Sequence, residues 1–350
     1  MNRCLSISLF ACAALCAGIS GCTTNAATGK KILTLGMTRS EEISLGAQAA
    51  PEFTKEYGGK VENSQLQQYV TNIGSKMAAK TEAQNPTLPW EFTLLNTEVV
   101  NAFALPGGKV FFTRGLAEQL TNEAQMAGVL GHEIGHVTAQ HGAQRIASQT
   151  AFNVGMVAAA VVVGVSGNEQ VQKYGALGVP ALAIGGNLVL LKYGRDEELE
   201  ADRLGVRYMS SVGYNPRGQL EVMQVLAKLS QGNSQPAILS THPDPAARIE
   251  QIQKLLSTEY ASTQGNPNYQ EFKDRYQVEF LEVIKTVPRP PKQKAAVEGV
   301  PAAALVDLRD ATTWCGVCAA AARQESHAKA PEPGPVPPHK GVYAYIAPAP

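Results

Sequence analysis

Two histidines and a glutamate in the run His132-Glu133-Ile134-Gly135-His136 could assemble half of a metal-hydrolase site. On an α-helix, residues four apart lie on one face, so His132 and His136 can offer imidazoles to one metal ion. Glu133 falls on the adjoining strip, where it can hold a water without being a ligand, as the base of metal-assisted peptide hydrolysis must. Such a trio also occurs on exposed helices with no metal between the side chains, so a third ligand must come from elsewhere. A third histidine six residues after His136 is excluded, because Gly142 stands there. His141 is one residue off that place and reads as a cap or decoration of the helix end. The inverted motif, with glutamate directly before the second histidine, is absent too.

Downstream, Arg195-Asp196-Glu197-Glu198-Leu199-Glu200-Ala201-Asp202 supplies carboxylates at helical spacing. Glu198 and Asp202 are four apart and share a face. Glu198 can ligate the metal while Asp202 orients a ligand histidine through its other ring nitrogen. Alone, this run would be a solvated acidic helix start, with Asp196 and Glu197 favoured by the helix dipole. After the histidine pair, the ligand reading takes precedence.

With these motifs, His132-Glu133-x-x-His136 and Glu198-x-x-Ala201-Asp202, the chain resembles the zinc metallopeptidases that include HtpX and the CAAX prenyl protease, peptidase family M48. Within that family it is most similar to the soluble periplasmic branch, the BepA/LoiP-type outer-membrane quality-control proteases. Asn101-Ala102-Phe103-Ala104-Leu105-Pro106-Gly107-Gly108 resembles the family's strand beside the active site. Thr241-His242-Pro243 through Arg248-Ile249 resembles its late histidine motif. The resemblance runs from about Leu35 to about Leu255.

It implies an α+β, mainly helical, zincin-type (gluzincin) domain with a small β-sheet whose edge strand flanks the active-site helix. It also implies one Zn²⁺ per chain, held by His132, His136 and Glu198, with Glu133 as base. His242 would lie near the metal, as a catalytic donor to the reaction intermediate or as a group that fills the open metal position and keeps the site latent. Arg248 is a candidate for orienting the same loop. Implied substrates are misfolded or stalled envelope proteins.

The elements that must position these groups follow from periodicity. Helical spacing appears in Ser40–Tyr57 and Ser64–Lys80, with Ser40, Glu41 and Glu42 as a helix start. Trp90–Asn96, Asn101–Leu105 and Lys109–Thr113 read as strands, the last two joined by Pro106-Gly107-Gly108. The histidine helix begins near Asn122, with Gln125 as a capping-box partner and Ala127, Leu130, Ile134 and Val137 as its buried stripe. An extended substrate could pair with the strand at Asn101, Ala102, Phe103 and Ala104, with Gly107 and Gly108 keeping that edge open. Val154–Val165 and Ala176–Leu191 are apolar but short of the roughly 20 residues that a membrane span needs. They read as core or cleft-covering helices that gate the site, with contact to the outer membrane as the alternative.

Residues 1–21 read as a secretory signal with Arg3 near its start, and Ile19-Ser20-Gly21-Cys22 resembles a bacterial lipobox. Cys22 would then carry the lipid and anchor residues 22–35, a polar tether, in the inner leaflet of the outer membrane, facing the periplasm. The peptidase domain would span 36–265, with a C-terminal extension over 266–287 and a Pro/Ala-rich disordered tail over 288–350. Cys315 and Cys318 in that tail read as a local disulfide or idle thiols. The 30 basic and 30 acidic side chains balance, and no basic stripe points to nucleic acid. A periplasmic holdase or assembly factor with a latent or structural zinc site is the alternative function, since the apolar stretches and the edge strand would serve chaperoning as well as cleavage.

Overall fold

Thr38, Asn63 and Asn122 start three helices in the same way, each side chain accepting the backbone N–H three residues on. Each cap satisfies one of the donors that a helix start leaves without a partner. The computed structural model describes residues 22–82, 87–162, 192–231, 236–243 and 245–290. Its elements in order are β1 (Cys22–Thr24), β2 (Lys31–Leu33), α1 (Arg39–Glu56), α2 (Ser64–Ala78), β3 (Glu91–Leu95), β4 (Ala102–Leu105) and β5 (Lys109–Thr113). After these come α3 (Glu123–Thr138), α4 (His141–Val162), α5 (Arg195–Ser211), α6 (Arg217–Leu229) and α7 (Pro245–Ser257). Helical turns over residues 273–286 follow. The result is mainly helical with a small sheet, as the motifs imply.

The sheet has the order β3-β5-β4, with β3 parallel and β4 antiparallel to the central strand. Side chains alternate between its two faces. Ala102, Ala104, Val110 and Phe112 join the main core with α2 and α3, whereas Phe103, Leu105 and Phe111 meet Ala49, Phe53 and Tyr57 of the α1 region. Helix α2 commits one face to the main core through Leu66, Val70, Ile73 and Met77, all at helical spacing and buried. Fully burying each such side chain contributes on the order of 1.5–3 kcal/mol, so Ile73→Ala would cost about 2–5 kcal/mol.

Strand β4 is an edge strand packed against the histidine helix, and among the described residues no second strand pairs with it. The turn after it, at Gly107, is close-packed. That residue has a φ of +78°, and a Cβ there would stand 2.5 Å from Ile43 Cα, so the turn is docked on α1.

Several expectations change on contact with the structure. Residues 22–33, expected as part of a tether, form the antiparallel β1–β2 hairpin, and Asn25 Nδ2 donates to Thr138 O at 2.9 Å at the end of α3. The C-terminal extension is part of the body: Tyr276, Phe280 and Ile284 are buried in the main core. Arg114, itself buried, donates to the carbonyls of Ile284 and Val287 and fixes that end. Helix α3 has no single buried stripe, because every residue from Glu123 to Thr138 is buried. Gln125 accepts from Thr121 N rather than from the cap residue's own N–H. No helix among the described residues is long and apolar enough to cross a membrane. The signal segment, most of the two apolar runs and the tail with Cys315 and Cys318 lie outside the described residues.

Candidate metal centre

The site forms where α3 and α5 cross closely. A Cβ on Gly135 would stand 2.8 Å from Ala201 O, and one on Gly131 would stand 3.0 Å from Gly205 O. Larger side chains at these positions would push the helices apart and withdraw Glu198 from the two histidines. With glycine there, His132, His136 and Glu198 converge, and His242 joins them from the loop before α7. One ligand atom from each of the four lies within 4.8 Å of the others, and all four residues are buried.

His132 Nε2 and His136 Nε2 face each other at 3.0 Å. Glu198 approaches them with Oε2 at 3.5 Å from His132 Nε2 and Oε1 at 3.4 Å from His136 Nε2. Tetrahedral zinc with Zn–N bonds of 2.0–2.1 Å separates its ligand nitrogens by about 3.3 Å, so this spacing suits one ion. His242 Nδ1 lies 3.0 Å from Glu198 Oε1 and 3.3 Å from His132 Nε2. Its Nε2 faces Glu133 Oε1 at 3.6 Å. Both Glu133 oxygens and His242 Nε2 are buried without a hydrogen-bond partner. A buried carboxylate left so carries a desolvation cost unless something polar comes to it. These donors fit a bound divalent metal with a water or substrate oxygen beside Glu133.

Electrostatics separate the groups by role. Burial pushes the Glu133 carboxyl above its ordinary range, and nearby His242 and His132 only partly offset it. Burial also acts against charge at Glu198, yet His242 and Arg248 outweigh it and hold that carboxyl well below the usual range. Burial keeps the His136 imidazole well below its ordinary value, in the neutral form that a metal ligand requires. At His242, burial is outweighed by Glu198 and Glu133, and the imidazole is raised.

The two helical histidines that could ligate a metal each have support on the far ring nitrogen. His132 Nδ1 lies 2.8 Å from Asp202 Oδ1. Asp202 in turn accepts from Arg248 Nε and Nη2, both at 2.7 Å, and from Gln219 Nε2 at 2.8 Å. Burial would raise Asp202, but Arg248 and His132 more than reverse it and hold the carboxyl far below its ordinary range. Arg248 also pairs with Glu198 at 2.8 Å, so it anchors both Glu198 and the Asp202 carboxylate behind His132 rather than merely the His242 loop.

Behind His136 the sequence reading misses two groups. His141 is no surface decoration: it is buried, and its Nδ1 lies 2.9 Å from His136 Nδ1. Tyr193 stacks on the His136 ring with centroids 3.9 Å apart, and its backbone N–H donates to Thr241 O in the His242 loop. No spacing signal marks Tyr193; its place before the acidic helix is the only hint. The strand residues are close but not part of the donor set. Asn101 donates from Nδ2 to the Tyr57 hydroxyl at 3.2 Å, and Ala102, Phe103 and Ala104 are buried within β4. Cys22 opens β1, paired in register with Leu33.

Comparison with known proteins places these four residues inside a region that matches a known family. Residues 64–256 match the family described as Peptidase family M48, which covers all four donor residues. A Beta-barrel assembly-enhancing protease of Yersinia pestis is 32% identical over 189 residues, covering 53% of this chain and 37% of the relative. Its counterpart in Escherichia coli strain K12 is 26% identical over 225 residues, covering 61% of this chain and 45% of the relative. A Mitochondrial metalloendopeptidase OMA1 of Schizosaccharomyces pombe is 29% identical over 233 residues, covering 66% and 65% of the two chains. The chain thus spans less than half the length of these two bacterial relatives.

Proposed function

The chain belongs to peptidase family M48, and on that premise we propose that it is a zinc-dependent endopeptidase acting on misfolded or stalled envelope polypeptides. The observation that carries this reading is the buried Glu133 carboxylate, unpartnered at both oxygens beside a set of three imidazoles and one carboxylate. A structural metal site has no use for such a group. His132, His136 and Glu198 would hold one zinc ion, and bound zinc supplies Lewis acidity that acidifies water and polarises a peptide carbonyl.

The chain's own residues do the rest. Glu133 accepts a proton from the attacking water at a carboxylate oxygen and delivers it to the departing amine nitrogen. Its raised proton affinity suits both halves of that exchange. His242 presents Nε2 toward Glu133, where it can donate to the oxygen of the carbonyl under attack. Its Nδ1 also falls inside the donor set, so the same residue can close the site in a resting state. Replacement by alanine separates these roles: slower cleavage marks the donor, faster cleavage the latch. The edge of β4 offers main-chain groups to an extended substrate, which gives affinity without demanding one side-chain sequence.

The names of the bacterial relatives, which refer to β-barrel assembly, favour substrates of the bacterial envelope. The lipobox-like run ending at Cys22 favours a lipid anchor on the periplasmic side of the outer membrane. The test is cleavage of an unfolded protein by zinc-loaded Cys22→Ala material beside the same chain carrying Glu133→Gln. Cutting by the first and not the second, with zinc retained in both, supports the reading. If neither cuts and both suppress aggregation equally, the protein is a holdase with a latent site instead.

A further inference from the structure

His141 and Glu200 have no part in the chemistry described above, yet they stand in line behind a metal-binding histidine. His141 Nε2 lies 3.2 Å from Glu200 Oε2, and Glu200 Oε1 lies 2.5 Å from Lys30 Nζ. At the inner end, two imidazole nitrogens, His136 Nδ1 and His141 Nδ1, face each other at 2.9 Å, so one must carry a proton. A His136 that gives Nε2 to the metal keeps its proton on Nδ1 and donates it. His141 then accepts at Nδ1, carries its own proton on Nε2, and donates to the Glu200 carboxylate. The direction of every hydrogen bond is therefore set from the metal outward.

The backbone is bent to make this line. Gln140, between α3 and α4, has a φ of +59°, a left-handed conformation that a side chain disfavours. Its own side chain secures it, donating to Glu42 Oε1 at 2.5 Å and accepting from Asn25 Nδ2 at 3.3 Å. Without that reversal His141 would continue the helix and leave the His136 side. Asn25 and Lys30 both belong to the N-terminal hairpin, so one short segment braces the bend and ends the line.

We infer that His141 and Glu200 are positioning residues for His136, and that the N-terminal hairpin holds this relay in place through Asn25 and Lys30. The inference rests on the reading of His136 as a metal ligand. It gives residues 22–33 a task at the metal centre beyond linking the domain to an anchor.

The experiment measures zinc transfer from the full-length chain to an excess of a chromogenic chelator, and the visible spectrum of the cobalt-substituted protein. His141→Leu removes both links at similar volume, whereas His141→Asn keeps an acceptor near the position of Nδ1. The expected result is zinc loss at least tenfold faster in His141→Leu, with altered cobalt bands, partial rescue in His141→Asn, and a few-fold effect in Glu200→Gln. Equal zinc-loss rates and unchanged cobalt spectra in His141→Leu and wild type would overturn the relay while leaving the metal site standing. A wild-type chain that takes up neither metal would overturn the metal reading, and the relay with it. Should His141→Leu fail to fold, His141→Asn against Glu200→Gln decides the matter in the same assay.

Discussion

The two candidate ligand histidines are four residues apart on one helix, but they are braced in opposite ways. Behind His132 stand Asp202, Arg248 and Gln219, all three buried, with every link inside the protein. Behind His136 the line runs through His141 and Glu200 to Lys30, whose side chain is 62% exposed. The first support is insulated from solvent and salt. The second leads to a surface hairpin, and therefore to whatever acts on that hairpin. One half of the candidate metal centre is thus held within the core, and the other is tied to a surface ion pair.

The largest effect should come from breaking the insulated side. Asp202→Asn leaves the buried Arg248 guanidinium short of its main counter-charge, and such breaks cost about 3–5 kcal/mol. Chemical denaturation of the zinc-free protein would show it, and a loss under 1 kcal/mol would mean that the pair is not held as described. This contribution also has a defined pH window. Because folding depresses the Asp202 carboxyl, its stabilisation is full above the unfolded value of about 3.9 and is lost as pH falls toward the folded one. The stability gap between wild type and Asp202→Asn should therefore stay flat from neutral pH down to about 5 and shrink below about 4.

A smaller effect tests the crossing that both sides share. Gly135→Ala puts a methyl group 2.8 Å from Ala201 O, so α5 must move away. Overpacking of this kind costs about 1–3 kcal/mol, and zinc affinity should fall with it as Glu198 retreats. Unchanged affinity, read by competition with a chelator, would mean that the close approach does not set the ligand geometry. The smallest effect belongs to the exposed end. Lys30→Gln should speed zinc loss less than threefold, and only at low ionic strength, because an exposed pair is weak and screened. A salt-dependent rate in wild type that disappears in Lys30→Gln would sharpen the contrast; salt dependence of the same size in both would blunt it.

How much of this could be read in advance follows from the range of each interaction. His132, Glu133 and His136 share one helix, and Glu198 and Asp202 another, so helical spacing alone groups them. The strands at Glu91–Leu95, Ala102–Leu105 and Lys109–Thr113 were legible as short, largely apolar runs and from the Pro-Gly-Gly turn. Arg248 was harder, because its contact with Asp202 spans 46 residues of sequence and nothing local announces it. His141 was misread for a geometric reason. Five residues on along a regular helix lie about 140° round from His136, pointing elsewhere. Only the left-handed step at Gln140 brings it back, and that step depends on Glu42 and Asn25, about a hundred residues away in the chain. The hairpin at residues 22–33 looked like a tether because its composition is polar, and its docking rests on side-chain bonds that composition does not reveal.

The most direct test of the centre itself is its metal content. Wild type and Glu198→Gln, each dialysed against a weak chelator, would be measured by inductively coupled plasma mass spectrometry. One zinc per wild-type chain and well under one in Glu198→Gln is the result this account predicts. A wild-type chain without stoichiometric metal, or a Glu198→Gln chain that keeps its full equivalent, would contradict it.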